Sequence, residues 1–277
     1  MKLHDLRGEP AEAADQLLSM ASGIPLTGVE RSCKFSPQGM LSNRLLMANT
    51  PEALRGTALE RAHLALKMPE SLLSDFERDW AAANHVYLGF EGSPSGLSYR
   101  IYLEFPVLLT PYMAPGAGGT RQALLARGYK WPALLSEAKA SGLDSQAGTS
   151  EYWWEPRLTA DQIVMRLEGL GLGMLNAHPL ARAAMDAARP RSNALDWTWL
   201  VVQEPASPRR SYDLNLYSAE LTLKDVAPAI DQTAQGFGID PAQVSAWLET
   251  FGHQTLGHVS GGISRNGQSF VTVYHAD

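Results

Sequence analysis

Several Arg and Lys residues occur in segments with the alternation of β-strands, at positions that alternate with apolar side chains. Lys34, Arg44, Arg100 and Lys130 each lie in a different segment of this kind. Burying cations without partners is costly, so we expect acids or an anionic ligand to pair with them. Among anionic ligands, a diphosphate satisfies clustered Arg and Lys donors best. The residue types therefore predict a diphosphate site.

Tyrosines and acids share the strand faces that carry these cations. From Ser98 to Phe105, Arg100, Tyr102 and Glu104 alternate with large apolar side chains. If helices cover the apolar face, the polar face points into the centre of a closed sheet. The other side chains assigned to polar faces in this way are Tyr87, Glu91, Asp213, Asn215, Tyr217, Thr272 and Tyr274, with Arg157 as a further candidate cation.

The elements that must position these side chains are five pairs of short strands. The pairs are 31–37 with 41–49, 84–91 with 98–105, 122–131 with 151–158, 195–204 with 211–220, and 256–264 with 269–277. Ten hairpin-linked strands predict an α+β fold, a closed ten-stranded antiparallel β-barrel with helices packed outside in αββα repeats. The even repeat spacing predicts a single domain over 1–277.

Helical sequence separates most of the hairpins. Residues 10–22 favour a helix, and Thr50-Pro51 predicts an N-cap for a helix that runs towards Met68, before a second one that reaches Trp80. Thr159 and Gln162 form a predicted capping box, and further helices are expected after Pro179, Asp225 and Asp240.

Two connections have distinct turn chemistry. Residues 106–120 are rich in Pro and Gly and predict a loop in place of a helix pair. Asn266-Gly267 between two strands is typical of a type I′ turn, in which both central residues have positive φ.

Composition excludes several classes of function. The net charge of −6 and the pI near 5.7 disfavour a nucleic-acid binder. The single cysteine, Cys33, excludes an internal disulfide and fits a reducing compartment. The first residues contain no apolar signal region, and no apolar stretch has the length of a membrane span. We therefore expect a cytoplasmic protein with neither nucleic-acid nor membrane partners, and its oligomeric state, monomer included, stays open.

Hairpin-linked antiparallel strands, outer helices, and Arg, Lys and Tyr alternating inward together resemble the aromatic prenyltransferases of the αββα barrel type. In that family several strands carry a basic residue and a tyrosine two positions later. Arg100-Ile101-Tyr102 matches this spacing, whereas Asn215-Leu216-Tyr217 and Thr272-Val273-Tyr274 have a neutral polar residue in the first place. The resemblance extends over about residues 31–277.

The resemblance implies transfer of an isoprenyl group from an allylic diphosphate to a small aromatic or indole acceptor. Lys34, Arg44 and Arg100, with Lys130, are then expected to bind the diphosphate, and Tyr102, Tyr217 and Tyr274 to screen the allylic cation. Glu91 or Glu104 is expected as the catalytic residue that positions the acceptor, and Asn215 and Thr272 complete the predicted substrate-binding set. The sequence has no Asp-Asp-x-x-Asp motif, so a Mg²⁺ requirement is neither implied nor excluded.

Other interpretations remain open at this level. Lys34 and Arg44 fit solvated strand edges as well, and the tryptophans at 131, 153, 154, 197 and 199 fit a core better than a pocket. His258 fits a satisfied core histidine better than a base, and Arg209 is expected in an outlying turn. The alternative functions are a barrel that binds an amphipathic anionic small molecule without catalysis, and a barrel-shaped assembly factor.

Overall fold

The structure is a computed structural model that describes residues 6–93, 96–109, 122–133, 147–171, 178–205 and 207–277. The described residues contain eleven strands, numbered in chain order: β1 Gly28–Ser36, β2 Gly39–Leu41, β3 Asn43–Asn49, β4 His85–Ser93, β5 Gly96–Glu104, β6 Ala123–Pro132, β7 Gly148–Glu155, β8 Thr198–Gln203, β9 Arg210–Asn215, β10 Leu256–Ile263 and β11 Ser269–Ala276.

The α-helices of the described residues are α1 Glu9–Ala21, α2 Pro51–Leu54, α3 Ala62–Ala65, α4 Glu70–Ala82, α5 Ala160–Gly169, α6 His178–Ala188, α7 Ala227–Gly236 and α8 Pro241–Phe251. Short 3₁₀ segments are Ala58–Arg61, Pro106–Leu109, Ala194–Asp196, Tyr217–Ala219 and Leu223–Val226. Most of the loop predicted over 106–120 lies outside the described residues.

The strands form one antiparallel sheet whose pairing order returns to its start. The order is β11-β10-β9-β8-β7-β6-β5-β4-β3-β1-β2, and β11 also pairs with β1. The closed antiparallel sheet of the predicted barrel fold is therefore confirmed. The predicted strand 41–49 is divided around Ser42, so that β2 pairs with the end of β1 and β3 with its beginning.

The helix predicted from Thr50 to Met68 is wrong in its length. Thr50 does cap α2, because its side chain accepts a hydrogen bond from the backbone of Ala53 at 3.2 Å. The helix then stops, and Gly56 and Lys67 have φ of 77° and 55°. Backbone in this left-handed region cannot continue a right-handed helix, so the segment is split into short turns. The capping box of Thr159 and Gln162 is confirmed at α5.

The last hairpin has a different turn from the one predicted. Gly267 has φ of 78°, whereas Asn266 is not among the three non-glycine residues with positive φ in the described part of the chain. The backbone N–H of Gly267 donates to the carbonyl of Ser264 at 2.9 Å. A turn from Ser264 to Gly267 whose last residue is a glycine with left-handed backbone is typical of hairpins with a three-residue loop. The prediction of a type I′ turn was therefore wrong.

The chain divides into two compact units, and the single-domain expectation stays a prediction. Unit 1 contains α1–α4, β3–β5, β6 from Leu124 onwards, and the beginnings of β1 and β7. Unit 2 contains β2, β8–β11, α5–α8 and the rest of β1 and β7. In unit 1 the apolar side of β5 is covered as predicted, since Tyr99, Ile101 and Leu103 are at most 2% exposed. They pack in one core with residues of α1 and α4.

Unit 2 has its own core between the sheet and α5–α8. Cys33 and Phe35 of β1 belong to it, together with Tyr212 and Val259. Trp197, Trp199 and, in unit 1, Trp131 are almost fully buried, which confirms a core role for these three tryptophans. None of the described helices is both long and apolar enough to cross a membrane. With their apolar sides against helices, the strands of each unit present a polar face on the other side.

Candidate functional sites

The polar face of unit 1 is assembled by register across β3, β4, β5 and β6. Arg44 lies opposite Glu91 in the β3–β4 pair, and Arg100 lies opposite Lys130 in the β5–β6 pair. Directly opposed residues in an antiparallel sheet have their Cβ atoms about 5 Å apart on one face. The register therefore brings cations from three strands towards the one carboxylate of β4.

We call Arg44, Glu91, Arg100 and Lys130 the Glu91 cluster. Arg44 Nε is 2.9 Å from Glu91 Oε2, Arg100 Nη2 donates to the same oxygen, and Lys130 Nζ donates to Oε1 at 3.2 Å. The Arg44 side chain is only 6% exposed and that of Glu91 11%. The interpretation of Arg44 as a solvated edge residue is thereby excluded.

Electrostatics within this cluster are dominated by positive charge. Three cations around one carboxylate give the four side chains a net charge of +2. The pKa of Lys130 is lowered, because burial disfavours the ammonium and Arg100 and Arg44 repel it, although Glu91 attracts it. An added anion would relieve this repulsion, so the cluster has the chemistry of an anion site.

Two tyrosines extend this face beyond the Glu91 cluster. Tyr87 lies opposite Tyr102 in the β4–β5 register. Arg100 Nη1 donates to the Tyr102 hydroxyl at 2.9 Å, and the Tyr87 hydroxyl donates to Glu104 Oε2 at 3.2 Å. Burial and the charge of Glu104 raise the pKa of Tyr87, which keeps the phenol neutral. Glu104 thus accepts a hydrogen bond from one of the two tyrosines.

The polar face of unit 2 carries a different set of side chains. Across β9, β10 and β11, Asn215 lies opposite His258, which lies opposite Tyr274. In the adjacent row, Ser260 lies between Asp213 and Thr272, and Thr272 is 1% exposed. Residues two apart on a strand share a face, so the predicted residues Asn215, Thr272 and Tyr274 surround His258.

Two hydrogen bonds fix the imidazole of His258. Its Nδ1 is 2.7 Å from Asp213 Oδ1, and its Nε2 is 3.1 Å from Asn215 Nδ2. The backbone N–H of Tyr217 donates to Asn215 Oδ1 at 3.0 Å, which leaves the amide nitrogen of Asn215 to face Nε2. An amide nitrogen can only donate, so Nε2 accepts and Nδ1 carries the proton towards Asp213. The hydrogen bonds therefore define a neutral imidazole.

Two phenol rings flank this imidazole. Tyr217 meets it edge-on, with ring centroids 5.5 Å apart, and Tyr274 lies 5.6 Å away. Tyr217 was predicted on a strand, but β9 ends at Asn215 and Tyr217 begins a 3₁₀ turn. Its ring lies against Gly257, where a Cβ atom would come within 2.4 Å of Tyr217 Cζ. Only glycine leaves room for this ring. We call Asp213, Asn215, Tyr217, His258 and Tyr274 the His258 cluster.

The predicted diphosphate residue Lys34 belongs to unit 2, and its role stays a prediction. Its Nζ is 5.1 Å from the centroid of the Phe270 ring, and Arg209 Cζ is 5.9 Å from the same centroid. Arg209 is also bonded to Glu204 at 2.7 Å, and its side chain is 20% exposed. Arg209 lies in the connection between β8 and β9, so the prediction that it lies in a turn is confirmed. Arg157, by contrast, is exposed in the turn after β7.

Sequence reasoning gave His258 too little weight. The alternation placed Asp213 and Asn215 on a polar face, but it could not show that a strand remote in sequence brings His258 opposite Asn215. A register comparison between 211–215 and 256–260 is the signal that could have found it. Among the described residues, no group of three or more His, Cys, Asp or Glu side chains could hold a metal ion.

This chain is similar to known proteins in its fold and not in its sequence. No protein-family model matches the sequence, and no curated protein matches it significantly. The fold is similar to that of 6-dimethylallyltryptophan synthase from Micromonospora olivasterospora in complex with DMASPP and Trp, with a TM-score of 0.55, 14% identity, and coverage of 93% of this chain and 84% of that one.

Two further solved structures have a similar fold. A 6-dimethylallyl tryptophan synthase has a TM-score of 0.53 and 13% identity over 90% of this chain and 80% of its own. AnaPT from Neosartorya fischeri has a TM-score of 0.50 and 12% identity over 90% of this chain and 77% of its own. The fold of this chain is thus the fold of these solved structures, and the fold that the resemblance to the αββα-barrel aromatic prenyltransferases implied is confirmed.

Proposed function

We propose that this protein transfers an isoprenyl group from an allylic diphosphate to a small aromatic or indole acceptor. The observation that carries the proposal is the Glu91 cluster, in which Arg44, Arg100 and Lys130 converge on one carboxylate beside Tyr102. The fold shared with a synthase solved in complex with DMASPP and Trp supports the same reaction class.

The cations of the Glu91 cluster suit the leaving group of this reaction. When the C–O bond of an allylic diphosphate breaks, the electron pair leaves with the diphosphate and negative charge develops on its oxygens. Fixed guanidinium and ammonium groups stabilise that charge without reorganising. Glu91 holds Arg44 and Arg100 in place, and both its oxygens are already engaged by cations. We therefore assign Glu91 to organising the donor site.

The tyrosines suit the other half of the ionised donor. An allylic cation is stabilised by the negative face of an aromatic ring and is destroyed by water. Tyr87 and Tyr102 lie opposite each other next to Arg100, and the pKa of Tyr87 is raised. A phenol that stays neutral near neutral pH shields a carbocation without capturing it as a phenolate would.

The test is a transfer assay with dimethylallyl diphosphate as donor and tryptophan or indole as acceptor. We expect a product heavier by one isoprenyl unit, detected by mass spectrometry. Arg100→Ala should lower the rate at least tenfold, because one charge-assisted contact contributes about 1.5–3 kcal/mol. Arg182→Ala is the matched control, since Arg182 forms an exposed pair with Glu168 on the helices.

The assay also separates the alternative functions. Stabilisation by dimethylallyl diphosphate without any product would favour a binding protein. The absence of both product and stabilisation would contradict the donor site itself.

A further inference from the structure

We infer that unit 2 contains an oxyanion site of its own, formed by Lys34, Arg209 and Arg265, that binds a phosphate group. These three residues and Glu204 all belong to unit 2, so the site is formed within one unit. It is independent of the transfer reaction proposed above. We call Lys34, Glu204, Arg209 and Arg265 the Glu204 cluster.

The Glu204 cluster lies where two hairpins of unit 2 turn. Strand β8 ends opposite Arg210 of β9, and β10 ends opposite the same residue. Glu204 directly follows β8, Arg209 directly precedes β9, and Arg265 lies in the connection between β10 and β11. The register therefore brings these three side chains, from two different turns, to one end of the sheet.

Glu204 binds one arginine with each of its carboxylate oxygens. Arg209 Nη1 donates to Oε1 at 2.7 Å, and Arg265 Nε donates to Oε2 at 2.8 Å. Burial would raise the pKa of Glu204, but the charges and hydrogen bonds of the two arginines outweigh it and lower that pKa. The carboxylate thus stays ionised and holds both guanidinium groups in place.

The ring of Phe270 brings a third cation to the same place. Phe270 is 7% exposed and shares a strand face with Thr272, on the polar side of the sheet. Lys34 Nζ is 5.1 Å from the centroid of this ring, and Arg209 Cζ is 5.9 Å from it. Both distances are in the range of cation–π interactions. Lys34 and Arg209 therefore lie around one aromatic ring.

Positive charge is in excess in the Glu204 cluster. Three cations and one carboxylate give these four side chains a net charge of +2, as in the Glu91 cluster. A phosphate monoester carries a charge of about −1.5 to −2 at pH 7. Its oxygens also match the fork geometry of guanidinium donors. A phosphate group therefore suits the charge of the Glu204 cluster better than a carboxylate, which carries a single charge.

A buried serine fixes Arg209 and adds a neutral donor. Ser211 is 1% exposed, and its Oγ accepts from Arg209 Nε at 3.1 Å. Together with the bond to Glu204, this contact fixes the plane of the guanidinium group. A hydroxyl that accepts a hydrogen bond still has its own hydrogen to donate. Arg209 is thus ordered before any ligand binds, which lowers the entropic cost of binding.

The Glu204 cluster is expected to bind anions more weakly than the Glu91 cluster. The side chains of Arg209 and Arg265 are 20% and 40% exposed, whereas those of Arg44 and Arg100 are 6% and 16% exposed. Water and salt screen exposed charges more effectively than buried ones. The two clusters should therefore have separate dissociation constants for the same anion.

The experiment is a titration of the ¹⁵N-labelled protein with pyrophosphate, followed by the amide resonances in NMR spectra. The amides of Ser211 and Phe270 report on the Glu204 cluster, and that of Tyr102 reports on the Glu91 cluster. We expect both sets of resonances to shift, with the larger dissociation constant at Ser211 and Phe270. Unshifted Ser211 and Phe270 resonances would overturn the inference.

Substitutions separate the two clusters. Arg209→Ala should raise the dissociation constant measured at Phe270 at least about tenfold and leave that at Tyr102 within about twofold of wild type. Arg100→Ala should do the reverse. Arg189→Ala is the matched control, because Arg189 forms only exposed pairs among the ion pairs of the described chain, and it should change neither constant. Loss of the Phe270 shifts in Arg100→Ala would mean that pyrophosphate occupies one site, which contradicts the inference.

Lys34→Met tests the Glu204 cluster without removing a partner of Glu204. The variant keeps an unbranched side chain and loses its charge, so the dissociation constant at Phe270 should rise about two- to fivefold. If neither Lys34→Met nor Arg209→Ala changes that constant, these cations do not bind the anion and the inference is wrong.

Further titrations identify the source of the phosphate group. Phenyl phosphate and inorganic phosphate offer the group with and without an organic part, and acetate is the carboxylate control. Tighter binding of phenyl phosphate at Phe270 would support an organic phosphate as the ligand, and equal binding would support free phosphate. Acetate binding as tightly as phosphate would contradict the assignment to a phosphate group.

The donor site and this oxyanion site can fail separately. Pyrophosphate shifts at Phe270 without any at Tyr102 would contradict the donor site and leave the site in unit 2 in place. Shifts at Tyr102 alone would support the donor site and overturn the site in unit 2.

Discussion

The Glu91 cluster of unit 1 and the His258 cluster of unit 2 are built in the same way and have opposite electrostatics. Each lies on the polar face of antiparallel strands whose other face packs against helices. In unit 1 a carboxylate is surrounded by three cations, whereas in unit 2 a carboxylate holds one neutral imidazole between phenols. One strand pattern thus provides a cluster of cations around a carboxylate in one unit and an imidazole between phenols in the other.

The two clusters differ in the residue that stands two positions before a tyrosine on the same strand pattern. Arg100 precedes Tyr102, while Asn215 precedes Tyr217 and Thr272 precedes Tyr274. An arginine in place of Asn215 would set a cation beside Nε2 of His258 and disfavour its protonation.

The largest effect on stability is expected from Glu91→Gln. Removing this carboxylate leaves Arg44 and Arg100 buried against each other without the charge that now pairs with them. Loss of one partner from a buried pair costs about 3–5 kcal/mol, so the midpoint of urea unfolding should fall clearly. Pyrophosphate should then stabilise Glu91→Gln more than it stabilises wild type, because the anion substitutes for the lost charge.

Glu168→Gln provides the control for that prediction. Glu168 and Arg182 form an exposed pair, and such pairs contribute at most about 1 kcal/mol. Equal effects of pyrophosphate on wild type and Glu91→Gln would show that the Glu91 cluster does not bind anions.

An intermediate effect is expected from Asp213→Asn in unit 2. The charge-assisted hydrogen bond to His258 is lost, and such bonds contribute about 1.5–3 kcal/mol. Asp186→Asn, at an exposed position on α6, should leave stability unchanged. A larger loss for Asp213→Asn than for Glu91→Gln in urea unfolding would reverse the ranking of the two clusters.

Gly257→Ala tests the position of the Tyr217 ring, which packs against Gly257. The added methyl group would overlap the phenol ring, so the ring or the backbone must move. Overpacking of this kind costs about 1–3 kcal/mol, measurable by thermal or chemical unfolding. Gly169→Ala at the end of α5 has open space around it and should be neutral or slightly stabilising. Unchanged stability for Gly257→Ala would mean that the Tyr217 ring lies elsewhere.

The smallest effect at neutral pH is expected from Tyr99→Phe in the core of unit 1. The Tyr99 hydroxyl donates to the carbonyl of Ala13 in α1 at 2.9 Å, and its loss should cost about 0.5–1.5 kcal/mol. Burial raises the pKa of Tyr99 to about 12. Because the unfolded chain releases this proton from about pH 10, the hydroxyl's contribution is present below pH 10 and is lost as pH rises towards 12.

Urea unfolding at several alkaline pH values checks this prediction. The loss of stability between pH 10 and pH 12 should be smaller for Tyr99→Phe than for wild type. Parallel curves would show that Tyr99 ionises as readily in the folded protein as in the unfolded chain.

Local sequence patterns predicted the parts of this protein that depend on local physics. The alternation around Arg100 and Tyr102 gave the correct faces of β5, because one side of a strand packs on helices and the other does not. The capping box at Thr159 was equally local. The break at Gly56 and the turn at Asn266 were missed, since several backbone conformations suit these residues and tertiary context selects one.

Contacts between strands distant in sequence could not be read from periodicity. Alternation places Asp213 on a face, but only the β9–β10 register brings His258 opposite Asn215 and within 2.7 Å of Asp213. In the same way, alternation placed Lys34 on the face opposite Cys33 and Phe35, but it could not show that Lys34 lies beside Phe270. The faces of strands were predictable, whereas the partners across them were not.

The most direct test of the central claim is calorimetric titration of dimethylallyl diphosphate into wild type, Arg100→Ala and Arg182→Ala. We predict that wild type and Arg182→Ala bind the diphosphate with similar dissociation constants, whereas Arg100→Ala binds at least about tenfold more weakly. Equal binding by Arg100→Ala, or no binding by wild type, would contradict the assignment of the Glu91 cluster as the donor site.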